Sequence, residues 1–407
     1  MPRPMRYVVS VLHHSIPSIR PGALAEEDDV GWHFRAAKAL TRYGGFKAVA
    51  MRPSGSEDYL TKIIEDVPVV LTPTINLSPS RRLLKWSEYS PALAQLTEYL
   101  VKRHEAVPYI HEYRALNSEL IIRRLINYPM ILQHHGSRPP MLRNALRPDL
   151  ISDVKELSKI RRETLLKRVK GAIFVINRVE KEYLESLGVD AEVMVRTMAV
   201  DFNELKPPSM EEKRKLRIKY GIPEDAVVLT TYTGVFGEEF STLKGTHLIA
   251  RLWKDLRRVL NIRLMLMVTG LGEAWVKAFR ELGIVAYGFL PHKTFIELLK
   301  ASDAYFLMAT PGYYGGIGVA VMEALALGKP VVSPTLTDYP ELREVKYLGA
   351  VTEYVSNEDD YYEFLKALTY IVENINNYKS ELIRSLAYRH YSWESFIKNF
   401  IQVINKL

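Results

Sequence analysis

Short apolar runs and longer amphipathic stretches take turns along this chain, and that alternation limits its possible folds more than any other feature. The runs 7–12, 67–71, 130–133, 172–176, 227–232, 264–269, 304–308 and 331–333 have the length and composition of buried strands. Between them, 31–43, 93–103, 154–169, 244–259, 274–282 and 359–373 return an apolar residue every three or four positions, as a helix with one buried face requires. Strand followed by helix, repeated, predicts an α/β protein with parallel sheets covered by helices.

The chain is too long for one such sheet. Its 407 residues, 47% of them hydrophobic, suffice for two or three domains with cores of their own and leave little room for disorder. The clearest break is 205–210, where Pro207 and Pro208 interrupt the periodicity before a polar helix, 211–220, that ends at Gly221. This predicts an N-terminal domain over 1–204, a C-terminal domain over 205–388, and a closing amphipathic helix within 389–407. Each domain is long enough for a doubly wound sheet of about six strands. Lys and Arg number 55 against 47 Asp and Glu, a net +8 that favours anionic partners. The absence of cysteine excludes disulfides, thiolate metal sites and cysteine nucleophiles. The first dozen residues break at His13 and His14 before a signal-peptide core forms, and no apolar run approaches a bilayer span, so the expected location is the cytoplasm.

The densest chemical signal is 310–341. Gly315, Gly316 and Gly318 form a loop between an apolar run and a helix over 319–327, an arrangement that aims backbone N–H groups at a phosphate. Glu323 stands among Val319, Val321, Met322, Ala324 and Leu325, where a carboxylate needs a partner. A surface position, a core-edge ion pair and a vicinal diol held by both carboxylate oxygens all satisfy it. A second loop after a strand carries Gly234, Gly237, Lys244 and Gly245, with the lysine where a diphosphate would lie. Gly270-Leu271-Gly272 and Gly288-Phe289-Leu290-Pro291 each follow a strand and read equally as turns. His13 with His14 and His134 with His135 lack the spacing of two ligands on one helix face, which argues against metal. The stretch 143–170 is basic and amphipathic, suited to an anionic membrane surface or to a solvated helix face. Arg81, Arg82 and Lys85 near Trp86 form another basic cluster, without the motifs of a nucleic-acid-binding protein.

The segment GIGVAVMEALALGKPVV, Gly316 to Val332, resembles the donor-site signature of the retaining nucleotide-sugar glycosyltransferases of family 4, which have the GT-B fold. Weaker matches follow in order: His135-Gly136, Val200-Asp201, Lys244-Gly245, Gly270-Leu271-Gly272, Gly288 to Pro291, and Tyr391-Ser392-Trp393-Glu394. The resemblance implies two Rossmann-like domains facing a cleft, the second holding the donor, with the final helix crossing back onto the first. It implies donor contacts from Gly237, Lys244, Gly270, Phe289, Leu290, Gly315, Gly316, Ile317, Gly318, Val319 and Glu323. Among these, Glu323 would bind the ribose hydroxyls, Lys244 the diphosphate, and Phe289 with Leu290 the nucleobase. His135 would lie near the transferred sugar and the acceptor, and Gly22 and Gly31 would belong to acceptor-side loops. Lys244, Glu323 and His135 are thus the expected catalytic residues.

Two positions depart from the family pattern. Gly315 stands where the family usually has a second glutamate, and Val235 with Phe236 where an arginine commonly joins the lysine. Tyr313, Tyr314 and first-domain arginines are candidates to substitute. The expectation is a transferase that moves a sugar from a nucleoside diphosphate sugar to a hydroxyl acceptor (a glycan, a lipid carrier or a small molecule), with retention and with neither metal nor cofactor. A sugar-nucleotide epimerase or hydrolase on the same scaffold, and a nucleotide-sugar-binding protein without turnover, are the alternatives.

Overall fold

The computed structural model describes residues 6–15, 31–77, 87–135, 150–234, 242–313, 315–338 and 345–407, with backbone alone at 150–156 and 337–338. It divides into two compact units, 1–198 with 393–407, and 199–392.

In the first unit the strands are β1 (Tyr7–Leu12), β2 (Lys47–Pro53), β3 (Leu60–Ile64), β4 (Val67–Thr72), β7 (Val107–His111), β8 (Met130–Gln133), β9 (Gly171–Val175) and β10 (Glu192–Val195). They form one sheet in the order β10-β9-β8-β7-β1-β2-β4-β3. A small separate ribbon pairs β5 (Ile75–Asn76) with β6 (Glu88–Tyr89). Every neighbour pair in the large sheet is parallel except β3 and β4. Helices cover both faces of a parallel sheet, so its strands bury both sets of side chains, and β1 is buried from Val8 to Leu12. The helix Trp32–Gly44 packs against the last helix, Trp393–Ile404. That last helix buries Trp393, Phe396, Ile397, Phe400, Val403 and Ile404. Phe400 meets the rings of Phe46, Tyr109 and Phe174.

This sheet has eight strands rather than about six. The pattern passes over β2 and β7 because Lys47, Arg52 and Pro53 interrupt one and Pro108 and His111 the other. It passes over β3 because that strand is an exposed antiparallel edge.

The second unit contains β11 (Val227–Tyr232), β12 (Leu264–Thr269), β13 (Val285–Ala286), β14 (Ala304–Phe306), β15 (Val331–Val332) and β16 (Gly349–Ala350). All are parallel, in the order β13-β12-β11-β14-β15-β16. The helix Thr246–Val259 buries Ile249, Leu252, Trp253 and Leu256 at helical spacing. A bridge between Val200 and Ser392 ties together the two ends of this unit. The Arg384 guanidinium holds the same region by donating to the carbonyls of Phe202, Leu205 and Ala326. Among the described residues, no helix is long and apolar enough to cross a membrane.

Candidate functional site

The strand order of the second sheet reverses at β11, whose crossovers lead to β12 on one side and β14 on the other. Such a switch point opens a crevice at the carboxyl ends of the strands, where α/β sheets take ligands. The loop after β11 leads to the helix Thr246–Val259 and the loop after β14 to the helix Val319–Ala326, so two helix N-termini meet this edge. The loops are also tied to each other, since Thr310 N–H donates to Leu243 O at 2.9 Å. Gly245 has φ 71°, and a Cβ there would lie 2.2 Å from the Met308 carbonyl oxygen. Only glycine allows that turn to approach so closely.

Lys244 follows from this turn. Its Nζ lies 4.6 Å from the centre of the Tyr232 ring, and burial pushes its pKa down to about 8. Tyr232 ends β11, and its N–H donates to Tyr305 Oη at 3.3 Å. Burial first, and the Glu323 carboxylate second, raise the pKa of the Tyr232 phenol. Tyr232 thus lies beside the Lys244 ammonium and feels the Glu323 charge.

Glu323 is only 3% exposed on its helix, which excludes the surface reading. Its Oε1 lies 2.6 Å from His292 Nε2, so a histidine at the start of the helix His292–Ala301 partners the carboxylate. A carboxylate has four lone-pair positions, and one bond from His292 leaves capacity for a diol.

The glycine loop divides by role. Gly316 and Gly318 take positive φ, and Gly318 caps the helix Val319–Ala326 with no side-chain bond to its first amides. Gly315 answers a different demand, because a Cβ there would fall 2.4 Å from the Tyr313 ring and hydroxyl. Tyr313 thus fills the room beside the position where the related family has its glutamate. Ile317 is buried in the core. Val319 is partly buried against the same core.

Gly270 N–H donates to Gly288 O at 3.0 Å, joining the two glycine turns. Beside them is a cleft of about 660 Å³ lined by Leu271, Val276, Lys277, Arg280 and Gly288 among others. Phe289 is exposed next to it, and Leu290 packs on a neighbouring apolar cluster.

In the first unit, His135 follows β8 and is half-buried between neighbours. Its ring stacks on Trp32 at 5.3 Å, and its Nε2 lies 2.8 Å from His111 Nδ1. His111 Nε2 in turn lies 2.9 Å from Ser10 Oγ. Burial holds the pKa of His135 down at about 3, leaving the ring neutral at ordinary pH. His134 is wholly buried near Glu112 and Glu180. Gly31 caps the helix Trp32–Gly44. In the basic stretch, Arg161 and Arg162 donate to Glu119. Gly22, Gly136, Tyr314, Gly237, Val235, Phe236 and the segments 81–86 and 143–149 lie outside the described residues.

The sequence reading misses Tyr232, His292, Trp32, His111 and Ser10. Tyr232 is the last residue of a strand at the ligand edge, a position that is itself a signal. His292 stands directly after the Gly288–Pro291 turn, but nothing local points it at Glu323.

Residues 213–384 match the family model described as Glycosyl transferases group 1. No curated protein sequence gives a significant match. Among solved structures, sucrose-phosphate synthase from Thermosynechococcus elongatus superposes with a TM-score of 0.68 at 11% identity, covering 98% of this chain and 99% of that one. A glycosyltransferase from Rickettsia africae gives 0.63 at 14% identity, over 99% and 98%. Anabaena HepE, solved in complex with UDP, gives 0.62 at 14% identity, over 99% and 100%. These likenesses establish the GT-B fold. The glycosyl transferases group 1 match lies within the second unit, the part of the chain that carries Lys244, the glycine loop and Glu323.

Proposed function

We propose that the chain transfers a sugar, with retention, from a nucleoside diphosphate sugar to a hydroxyl acceptor. The observation that carries this is the buried Glu323 on the helix that the glycine loop opens, with Lys244 on the neighbouring loop tied to it through Leu243 and Thr310, within the segment that matches the glycosyl transferases group 1 model. In this reading Glu323, steadied by His292, takes the ribose hydroxyls. As the bond from sugar to phosphate breaks, negative charge grows on the diphosphate. The Lys244 ammonium and the uncapped amides of the helix Val319–Ala326 would stabilise that charge without a metal, in a setting poorer in water than bulk solvent. Anabaena HepE has been solved with UDP and with UDP-glucose, which supports uridine as the first base to try. The cleft beside Gly288 is the place proposed for the base.

A second reading, nucleotide-sugar binding without turnover, is favoured by Gly315, where the Tyr313 ring adjoins the position of the related family's glutamate. Peripheral contact with an anionic membrane through 143–170 would rest, among the described residues, on the exposed Lys167, Arg168 and Lys170. Failure to float with anionic liposomes would dismiss it.

The test is thermal stabilisation by UDP, GDP and ADP and their sugars in wild type, Glu323→Ala and Lys244→Ala, followed by product analysis over an acceptor panel. A ligand at about 100 times its Kd stabilises the fold by roughly 2.7 kcal/mol. A shift with one nucleotide family, reduced in both variants, is expected. Absence of any shift overturns the donor assignment, and binding without product over the whole panel selects the second reading.

A further inference from the structure

Neighbouring strands of the first sheet, β8, β7 and β1, line up a chain of polar side chains toward their carboxyl ends. Ser10 lies in the carboxyl half of β1, His111 ends β7, and His135 stands just beyond β8. Ser10 Oγ is 2.9 Å from His111 Nε2, and His111 Nδ1 is 2.8 Å from His135 Nε2. The planes of the two imidazoles differ by 5°, with ring centres 5.0 Å apart. An approach of 2.8 Å between nitrogens is too close for stacked faces, so the rings meet edge to edge, along the line that an N–H···N bond requires.

The direction of this chain decides what His135 offers. Burial keeps both rings neutral, His135 with a pKa of about 3 and His111 well below the ordinary histidine value, so each ring carries a single N–H. The protons then have two possible orders. In one, the Ser10 hydroxyl donates to His111 Nε2, His111 Nδ1–H donates to His135 Nε2, and His135 bears its proton on Nδ1. In the other, every bond runs backwards and His135 Nδ1 is a bare acceptor. Ser10 selects between them. It is fully buried, and among the described residues the partner of its hydroxyl is His111 Nε2 alone. If that nitrogen were the donor, the Ser10 proton would be sealed from water with nothing to accept it, and orphaned buried donors are costly. The first order leaves no donor unmade. His135 Nδ1 has no partner within the protein, yet it is not among the sealed, unpartnered nitrogens, so it opens to solvent. The Trp32 ring, 5.3 Å away with planes 11° apart, supports one face of His135, and the Glu112 carboxylate holds its backbone N–H at 2.8 Å.

We propose that Ser10 and His111 are positioning residues that fix His135 in its Nδ1–H tautomer, so that the ring meets a substrate oxygen as a hydrogen-bond donor and takes no proton from the acceptor hydroxyl. The tautomer stands on the hydrogen-bond chain, because the bond made by one ring nitrogen sets the state of the other. Its use toward a substrate rests on the transferase reading.

The test is long-range proton–nitrogen correlation NMR of the full chain labelled in its histidine rings, with the two rings assigned through His111→Asn and His135→Asn. Wild type should show a protonated Nδ1 and a bare Nε2 in both rings, and a nitrogen–nitrogen coupling across the bond that joins them. Ser10→Ala should admit the Nε2–H form, and Ser10→Thr, which keeps the hydroxyl, should return the wild-type pattern. Protons on Nε2 in wild type, or a Ser10→Ala spectrum identical to wild type, overturns the lock. In turnover of UDP-glucose over the acceptor panel, His135→Ala should lower kcat about tenfold or more, and His135→Asn, which keeps a neutral donor, should recover part of the loss. A histidine limb in the wild-type rate between about pH 6 and 8 that vanishes in His135→Asn overturns the donor role. Absence of turnover with any nucleotide sugar brings down the transferase reading and the donor role with it, while the spectra still decide the tautomer.

Discussion

Lys244 sits where burial and function pull against each other. Burial lowers its pKa to about 8, so at neutral pH it is still mostly charged, and a diphosphate beside it would hold the proton more firmly. The bound state therefore carries more protons than the empty state above pH 8, and affinity must fall as pH rises. UDP affinity should be nearly flat from pH 6.5 to 7.5 and drop by up to about tenfold per unit beyond pH 8, for a single linked proton. Lys244→Arg should flatten that slope. A titration series to pH 9.5 checks this, and a flat wild-type profile would separate Lys244 from the diphosphate. His135, neutral with a pKa near 3, adds no step in that window. Lys244 and Glu323 stand out in the sequence through their glycine loops and through the family resemblance. Their partners do not, since Tyr232 and His292 meet them only through the packing of separate loops.

At the scale of elements, the turn at Gly245 positions the lysine by pressing backbone on backbone. Gly245→Ala forces a positive φ on a residue with a side chain and drives its Cβ into the Met308 carbonyl. We expect a loss of about 1–3 kcal/mol in urea unfolding, together with weakened UDP binding. Unchanged stability would mean that the two loops can part without penalty. The apolar runs 227–232 and 264–269 matched their strands because burial on both faces removes the alternation that usually complicates such a reading. β2 and β7 were illegible for the opposite reason: each carries a polar residue, Arg52 or His111, that breaks the run toward its carboxyl end.

Across the whole molecule, the two sheets are a consequence of alternating strand and helix, but the destination of the last helix is not. Its amphipathic pattern says that one face is buried without saying against which core; only the family resemblance pointed to the first unit. The structure puts Phe400 among Phe46, Tyr109 and Phe174, so Phe400→Ala should cost about 3–5 kcal/mol. The loss should appear as an earlier unfolding transition in the first unit, with UDP binding by the second unit retained in native buffer. A single unshifted transition would contradict the packing.

The same helix sets an order of assembly on the ribosome. Residues 199–392 have every part of their unit in one continuous stretch, whereas the first unit lacks a piece until 393–407 emerge. Translation thus delivers the earlier half of the polypeptide incomplete, with Phe46, Tyr109 and Phe174 awaiting their cover, and the later half is the one equipped to finish folding first.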